Sequence, residues 1–285
     1  MDLLLRPGTR SDAADCGRIC FEAFDRIARE HGFTGDLPDV ETATGLMDML
    51  LSHPGFYSVT AELDGRIVGS NFLDERSRVV GVGPVTVDPD CQNAGVGRRL
   101  MEDVMRRAEE RQAPGIRLLQ AAYHCRSFAL YASLGFEFRE TLACLQGPPI
   151  GRTVPGHTVR PATDADLASC NELCRRVHGA DRGGEVTDAL KQGTARVVEH
   201  DGRVTGYATD LAYFAHAVGE TTEDLKALIA SATAFGGPGI LVPAGDTALL
   251  RWCLRHGLKV TQLATLMTIG LYNDPAGAYL PSILY

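Results

Sequence analysis

The sequence lacks the features of a membrane or secreted protein. No apolar run approaches the roughly 18 residues that a helix needs to span a bilayer. Residues 1–7 carry no basic region and too short an apolar core for a signal peptide. We therefore expect a cytoplasmic protein that works without a membrane.

The cysteines also lack the spacing of a metal site. All eight are scattered, with no Cys-x-x-Cys motif and no cysteine–histidine set at zinc spacing, so we expect no metal. Cys16 and Cys20, like Cys170 and Cys174, are four residues apart in helical patterns, which predicts small buried side chains. Cys91 lies in a predicted loop, where a reactive thiol is one interpretation and inert packing the favoured one.

An excess of positive charge is missing as well. The net charge is −8, whereas nonspecific nucleic-acid binding needs a basic surface. The acidic balance slightly favours a cationic partner. A chain of 285 residues that is 45% hydrophobic and 22% charged is typical of a globular protein with two domains of about 140 residues each.

One stretch organises the first half of the chain. Val85 and Val87, with Thr86 between them, are typical of the end of a strand, which Pro89 stops because proline has no N–H to donate to a neighbouring strand. After a turn, apolar residues recur at helical spacing, namely Val96, Leu100, Met101, Val104, Met105 and Ala108. The opposite face is polar, with Arg98, Arg99, Glu102 and Arg106. These patterns predict a strand, a turn and a helix.

Gly95 and Gly97 lie where this helix begins. A helix start offers unpaired N–H groups and a positive dipole end, and glycine lets an anion such as a pyrophosphate approach the backbone closely. The alternative is that both glycines only shape a loop. Arg98 and Arg99 oppose the helix dipole unless an anion lies there, and surface solubility is their alternative role.

The wider pattern resembles a known family. Pro89-x-x-Gln92-x-x-Gly95-x-Gly97, followed at once by an amphipathic helix, closely resembles the acyl-CoA signature of the Gcn5-related N-acetyltransferases (GNAT family). It is not a Rossmann fingerprint, since the third glycine is missing, and it is not a Walker loop, since no Lys-Ser or Lys-Thr follows. Ala129-x-Tyr131-x-x-x-Gly135-Phe136 resembles the family's second motif and follows in the right order.

The first part of the fold also recurs in the sequence. Arg6-Pro7-Gly8-Thr9 matches Arg160-Pro161-Ala162-Thr163, and the hairpin signal Asp64-Gly65 returns as Asp201-Gly202. The resemblance therefore implies an α/β (α+β) protein of two tandem GNAT-like domains, each a mixed, mostly antiparallel twisted sheet flanked by helices. We predict a catalytic domain over residues 1–146, a linker over 147–156 and a second domain over 157–285.

The second copy lacks the phosphate loop. Glu220 stands where a pyrophosphate would bind, and its charge would repel that group. Cys253 occupies the position of the motif tyrosine. We expect a degenerate, structural domain, onto which the apolar tail of residues 279–285 docks.

The resemblance implies a set of cofactor-binding residues in the first copy. The main chain of Val85 and Val87 would bind pantetheine and the thioester carbonyl. The pyrophosphate would lie on the loop, formed by Gln92, Asn93, Ala94, Gly95, Val96, Gly97 and Arg98. His124 and Ser127 are also assigned to the cofactor, acetyl-CoA. His124 replaces an asparagine found in many members, and capping the helix is its alternative role.

The implied reaction is direct transfer of an acetyl group from acetyl-CoA to a primary amine. Tyr131 has the family's general-acid position and would protonate the CoA sulfur, with core packing as the alternative. Asp74 and Glu75 are the nearest carboxylates for a base, and Glu75 is our candidate. An exposed surface role for Glu75, a water chain or an amine arriving neutral are the alternatives.

Other functions stay open at this point. The chain could be a non-catalytic acyl-CoA sensor or partner-binding module, or a purely structural pair. The acceptor, a small-molecule or peptide amine, is not specified by any residue pattern. The oligomeric state, a homodimer included, is left open.

Overall fold

A computed structural model describes residues 3–284. Residues 1, 2 and 285, which begin the predicted first domain and end the predicted tail, lie outside the described residues. The chain packs into two compact units. The first contains residues 3–75, 79–118 and 284, and the second contains residues 76–78 and 119–283. Within the described chain, no helix is long and apolar enough to cross a membrane.

The first unit is a sheet with helices, in the strand order β1-β2-β3-β4-β6, with β5 also paired to β3. The helices are α1 (Ala13–Glu30), α2 (Val40–Ser52) and α3 (Val96–Glu110). The strands are β1 (Leu3–Pro7), β2 (Phe56–Leu63), β3 (Arg66–Asp74), β4 (Val80–Val82), β5 (Thr86–Val87) and β6 (Gly115–Ala121), whose last three residues belong to the second unit. All pairings within this unit are antiparallel except that of β4 with β6.

The predicted hairpin is confirmed by the backbone between β2 and β3. Asp64 has φ = 52° and Gly65 has φ = 76°, the two left-handed residues of a type I′ turn. Leu63 pairs with Arg66 across this turn.

The strand predicted to end at Val87 is interrupted. The structure has two short strands there, and Gly83 and Pro84 separate β4 from β5. The peptide bond between these two residues is cis. Pro84 cannot donate a ladder hydrogen bond, and Gly83 has φ = 132°, a conformation that strand residues with side chains avoid. The Gly-Pro pair was the sequence signal for this break.

The second unit holds two sheets. Its helices are α4 (Cys125–Ser133), α5 (Leu167–His178), α6 (Gly183–Gln192), α7 (Thr222–Ser231) and α8 (Thr247–Arg255). Its strands are β7 (Glu137–Gln146), β8 (His157–Pro161), β9 (Arg196–His200), β10 (Arg203–Ala208), β11 (Ala217–Gly219), β12 (Ile240–Pro243), β13 (Lys259–Gly270) and β14 (Ala278–Leu280). One sheet contains β13-β7-β12, and the other has the order β14-β11-β10-β9-β8.

Packing and duplication divide the chain at different places. The sequence repeat predicts a first domain that ends at residue 146, whereas packing places α4 and β7 in the second unit. The reason is pairing over long range, because β7 lies antiparallel between β12 and β13. The domain boundaries derived from the repeat stay a prediction. Residues 147–156 contain no helix or strand, and within the predicted tail β14 pairs with β11.

The duplication extends to individual hydrogen bonds. In the first unit Arg6 donates two hydrogen bonds to Asp12, at 2.7 and 2.9 Å. In the second unit Arg160 donates two to Asp166, both at 2.8 Å. Each aspartate also accepts the backbone N–H of the threonine three residues before it, at 2.8 Å in both units. The same capping box therefore begins the first helical segment of both copies.

Replacing Asp166 by asparagine is expected to remove an acid-dependent part of the stability. The Arg160 hydrogen bonds, working against burial, hold the pKa of Asp166 well below its usual range. The folded state then binds fewer protons than the unfolded chain, so this stabilisation is present above the unfolded pKa of about 3.8 and is lost as the pH falls through the lower folded value. We expect a loss of roughly 1–2 kcal/mol at pH 7 and a flatter decline below pH 4.

Denaturation midpoints measured from pH 7 down to pH 3 test this. Asp201→Asn is the matched control, since the Asp201 side chain is 85% exposed and asparagine tolerates its left-handed backbone. A wild-type acid slope in the Asp166→Asn variant would contradict the prediction.

Candidate functional site

The strands leading to the predicted loop part from each other. β4 pairs in parallel with β6 at Val80–Ile116 and Gly81–Arg117. Two residue pairs connect β5 to β3, and in the described chain β5 has no pairing with β6. One edge of β5 is therefore left open beside the end of β4.

The main chain of Val85 and Val87 faces this open edge. The N–H of Asp88 donates to the carbonyl of Val68 on β3, at 2.9 Å. Because successive residues of an extended chain direct their N–H and C=O groups to opposite sides, Val87 and Val85 direct theirs away from β3. The side-chain amide of Gln92 confirms this direction, because its Nε2 donates to the Val87 carbonyl at 3.2 Å.

The loop after β5 ends in an open helix start. A single turn of 3-10 helix covers Pro89–Cys91, and the carboxylate of Asp88 accepts the N–H of Asp90 at 3.0 Å. Asn93 (φ = 65°) and Gly95 (φ = 83°) are left-handed, and Gly95 is the N-cap of α3. Gly95 has no side chain with which to cap the helix, and the N–H groups of the first turn have no partner within the helix itself. The predicted strand, turn and helix are confirmed.

The remaining loop residues and the residues of α3 differ in their exposure. Ala94 is exposed, Val96 is buried, and Gly97 lies in the first turn of α3. The Arg98 guanidinium is 45% exposed and lies 3.9 Å from Glu102 one turn later. The predicted apolar face is buried at every position except Met105, which is half-buried.

The corresponding helix start of the second copy is filled by the protein's own side chains. Helix α7 begins with a capping box, in which the Asp224 carboxylate accepts the Thr221 N–H at 2.9 Å. Glu220 accepts hydrogen bonds from Arg176 (2.8 Å) and Arg203 (2.5 Å). The strand β11 (Ala217–Gly219) ends directly before Glu220. Thr221 thus caps α7 with its side chain, which Gly95 cannot do for α3, and a degenerate second copy stays a prediction.

Tyr131 is buried on α4, in the second unit. Its ring lies edge-on to Phe136, with ring centres 6.1 Å apart. No hydrogen bond recorded among residues 3–284 involves its hydroxyl group. Burial raises the pKa of Tyr131 to about 12, so the phenol keeps its proton at neutral pH. The phenol is thus protonated, while its raised pKa makes it a weaker acid than an ordinary phenol.

His124 and Ser127 form the cap of α4. His124 Nδ1 accepts the Ser127 N–H at 3.0 Å, and the Ser127 hydroxyl donates to the His124 carbonyl at 2.8 Å. This is the capping role named as the alternative for His124. A contact of either residue with a cofactor stays a prediction. Cys253, at the tyrosine position of the second copy, is buried on α8, where burial raises the pKa of its thiol to about 12.

Glu75 is neither exposed nor free. Its side chain is 8% exposed and accepts two hydrogen bonds from Arg107, at 2.7 and 3.1 Å. Arg111 approaches the same carboxylate to 3.1 Å. Two guanidinium groups therefore engage both oxygens of the carboxylate. The geometry favours a role in fixing the end of β3 against α3. The i,i+4 spacing of the two arginines was visible in the sequence, but their partner depends on tertiary packing.

The fold and this strand–loop–helix are those of a tandem GNAT-like fold. Residues 21–136 match the model of the acetyltransferase (GNAT) family. This segment, about two fifths of the chain, is therefore similar to that family. A sequence comparison with curated proteins gives no match.

Solved structures of the same fold cover nearly the whole chain. A putative acetyltransferase from Pyrococcus horikoshii superimposes with a TM-score of 0.74 at 15% identity, over 99% of this chain and 92% of its own. A GCN5-related N-acetyltransferase from Sphaerobacter thermophilus gives 0.61 at 13% identity, over 95% and 96%. A tandem GNAT protein from the clavulanic acid biosynthesis pathway gives 0.56 at 13%, over 94% and 98%. At these identities the likeness establishes the fold.

Proposed function

We propose that the protein is an acyl-CoA-dependent N-acyltransferase that moves an acetyl group from acetyl-CoA directly to a primary amine. The observation that carries this proposal is the start of α3 at the left-handed Gly95, which follows the acyl-CoA motif and the open edge of β5. The N–H groups at a helix start suit a pyrophosphate, and the N-cap Gly95 brings no side chain that would compete for them. The family match of residues 21–136 supports the same donor.

The donor would be held by main-chain groups at both ends. The N–H groups of the loop from Gln92 to Arg98 bind the pyrophosphate, and Gln92 braces the loop through its bond to Val87. The outward N–H groups of Val85 and Val87 bind pantetheine and polarise the thioester carbonyl, as an oxyanion-type site does. His124 and Ser127 are proposed as further cofactor contacts.

The transfer itself is an attack of the amine on the thioester carbonyl. The amine lone pair forms the C–N bond, the C–S bond breaks, and the thiolate takes the phenolic proton of Tyr131. Solvent then returns a proton to Tyr131. The amine enters neutral or releases its proton through water, because both oxygens of Glu75 are engaged by arginines. No metal-binding group of three or more His, Cys, Asp or Glu residues occurs within residues 3–284.

Calorimetric titration of acetyl-CoA into the purified protein tests the donor site and is expected to give one site per chain. The second copy has its helix start capped by Thr221 and Asp224 and carries Glu220 beside it. A stoichiometry of two would contradict a degenerate second copy. Absence of binding would refute the enzyme and any acyl-CoA sensor alike.

A non-catalytic acyl-CoA sensor is the second candidate. The engaged carboxylate of Glu75 favours it, because the proposed reaction then lacks a dedicated base. Release of free CoA thiol over many cycles, measured with a panel of small amines, amino acids and peptides, distinguishes the two. Binding without turnover on every amine class would favour the sensor.

A further inference from the structure

A cluster of buried charges lies inside the second unit. Arg182 donates two hydrogen bonds to Glu185, at 2.6 and 2.7 Å, and both side chains are at most 9% exposed. Arg76 donates to Asp188 at 3.1 Å and lies 4.0 Å from Glu185. We call these four residues, together with His216, the buried ion cluster. Two guanidinium groups therefore face two carboxylates in the interior.

His216 connects this cluster to β10. Its Nδ1 lies 3.2 Å from the Glu185 carboxylate, and its Nε2 lies 3.0 Å from the hydroxyl of Tyr207. Burial and the charge of Arg182 lower the pKa of His216 to about 4, so the ring is neutral at pH 7. A neutral ring that donates from Nδ1 to Glu185 must accept the Tyr207 proton at Nε2. Every group in this chain of contacts therefore has a defined orientation.

Stability alone is a weak reason for such a cluster. Buried ion pairs are often no more stabilising than apolar residues of similar volume. The second helix of the first copy, α2, buries Ala43, Met47 and Leu50 instead. An apolar face is therefore sufficient to pack a helix in this position. We infer that the charged residues of α6 have a role other than packing the helix.

The cluster holds a segment that the first copy supplies. Residues 76–78 pack with the second unit, although the residues on both sides of them belong to the first. The backbone of this segment lies directly on α6: a Cβ at Gly184 would meet the Arg76 carbonyl at 2.5 Å. Arg76 is thus fixed both by its charge, through Asp188, and by close backbone contact. Two residues after this segment, β4 begins.

We propose that the buried ion cluster is a positioning device for the donor-binding strands, which fixes the segment 76–78 and thereby the path of β4 and β5. This inference rests on the proposed function, because β5 is the strand assigned to the thioester. In this proposal the second copy binds no ligand itself, and its role is to position strands of the first copy. Arg76 is a positioning residue here and does not touch the reacting atoms.

Hydrogen exchange read by mass spectrometry tests the link directly. Arg76→Ala and Asp188→Asn are expected to speed exchange over residues 79–88 about tenfold, while residues 100–110 of α3 keep the wild-type rate. Gly184→Ala should do the same without changing any charge, since its methyl group displaces the Arg76 backbone. Arg76→Lys, which keeps the charge, should fall between Arg76→Ala and wild type. Arg175→Ala is the matched control, because its ion pair with Asp181 is exposed in the same unit.

Affinities for two ligands give a second readout, one that a merely structural role would not move. We expect acetyl-CoA affinity to fall several-fold more than CoA affinity in the Arg76, Asp188 and Gly184 variants. The reason is that β5 is assigned to pantetheine, which both ligands share, and to the thioester carbonyl, which only acetyl-CoA has. Unchanged exchange over residues 79–88, or a rise spread equally over the whole second unit, would overturn the proposal. If the wild-type protein binds neither ligand, the proposed function fails, and the exchange result alone decides whether the cluster positions β4.

Discussion

Replacing Gly95 by leucine is expected to abolish acetyl-CoA binding while the protein stays folded. Gly95 has φ = 83°, and a Cβ built there meets no atom within 4 Å, so a side chain would start into open space. It would instead project from the N-cap of α3, across the N–H groups proposed to bind the pyrophosphate. The strain of a left-handed leucine costs about 1–2 kcal/mol, which a folded domain tolerates. We expect the affinity to fall by at least about 100-fold, or 2.7 kcal/mol.

Gly65→Leu is the matched control for backbone strain. Gly65 has φ = 76° and also has open space where a Cβ would be, but it lies in the β2–β3 turn. Both variants should therefore lose the same amount of thermal stability, and only Gly95→Leu should lose binding in the calorimeter. Retained acetyl-CoA binding in Gly95→Leu would remove the loop assignment.

Local signals predicted the centre of the first unit well. Three signals for the strand end, the turn and the helix lie close together in the sequence. They are Pro89, the glycine at the helix start and the apolar stripe from Val96 to Ala108. Backbone geometry decides such features almost alone. The Asp64-Gly65 turn followed from the sequence for the same reason, since few residues other than glycine, asparagine and aspartate favour left-handed φ.

Features that depend on partners distant in sequence were not predictable in this way. The arginine partners of Glu75 come from the region of the next helix, α3. A carboxylate directly after a strand can be exposed or buried and paired, and the sequence pattern around Glu75 is the same in both cases. The grouping of β7 with β12 and β13 joins residues about 100 or more positions apart, for which the repeat alone predicts a different boundary. The buried ion cluster is of the same kind, because its four charged residues come from two segments that a sequence pattern treats separately.

Replacing Tyr131 by phenylalanine is expected to lower turnover on the order of 100-fold with little change in acetyl-CoA affinity. The substitution keeps the ring and its packing on Phe136 and removes only the hydroxyl. Because the pKa of Tyr131 is raised to about 12, this hydroxyl is protonated at every ordinary assay pH and is the proposed proton donor to the CoA thiolate. Its loss leaves the departing sulfur charged, which raises the barrier for breaking the C–S bond.

Tyr57→Phe separates this effect from the general loss of a phenol. The Tyr57 hydroxyl donates to Asp103 at 2.7 Å, so its removal should cost stability, about 1 kcal/mol, and leave turnover unchanged. Tyr131→Phe should show the opposite pattern, since its hydroxyl makes no recorded hydrogen bond within residues 3–284. Rates of CoA thiol release and thermal midpoints, measured on both variants with the same amine, give the comparison. Wild-type turnover in Tyr131→Phe would assign Tyr131 to core packing, and the thiolate would then have to leave without a protein acid.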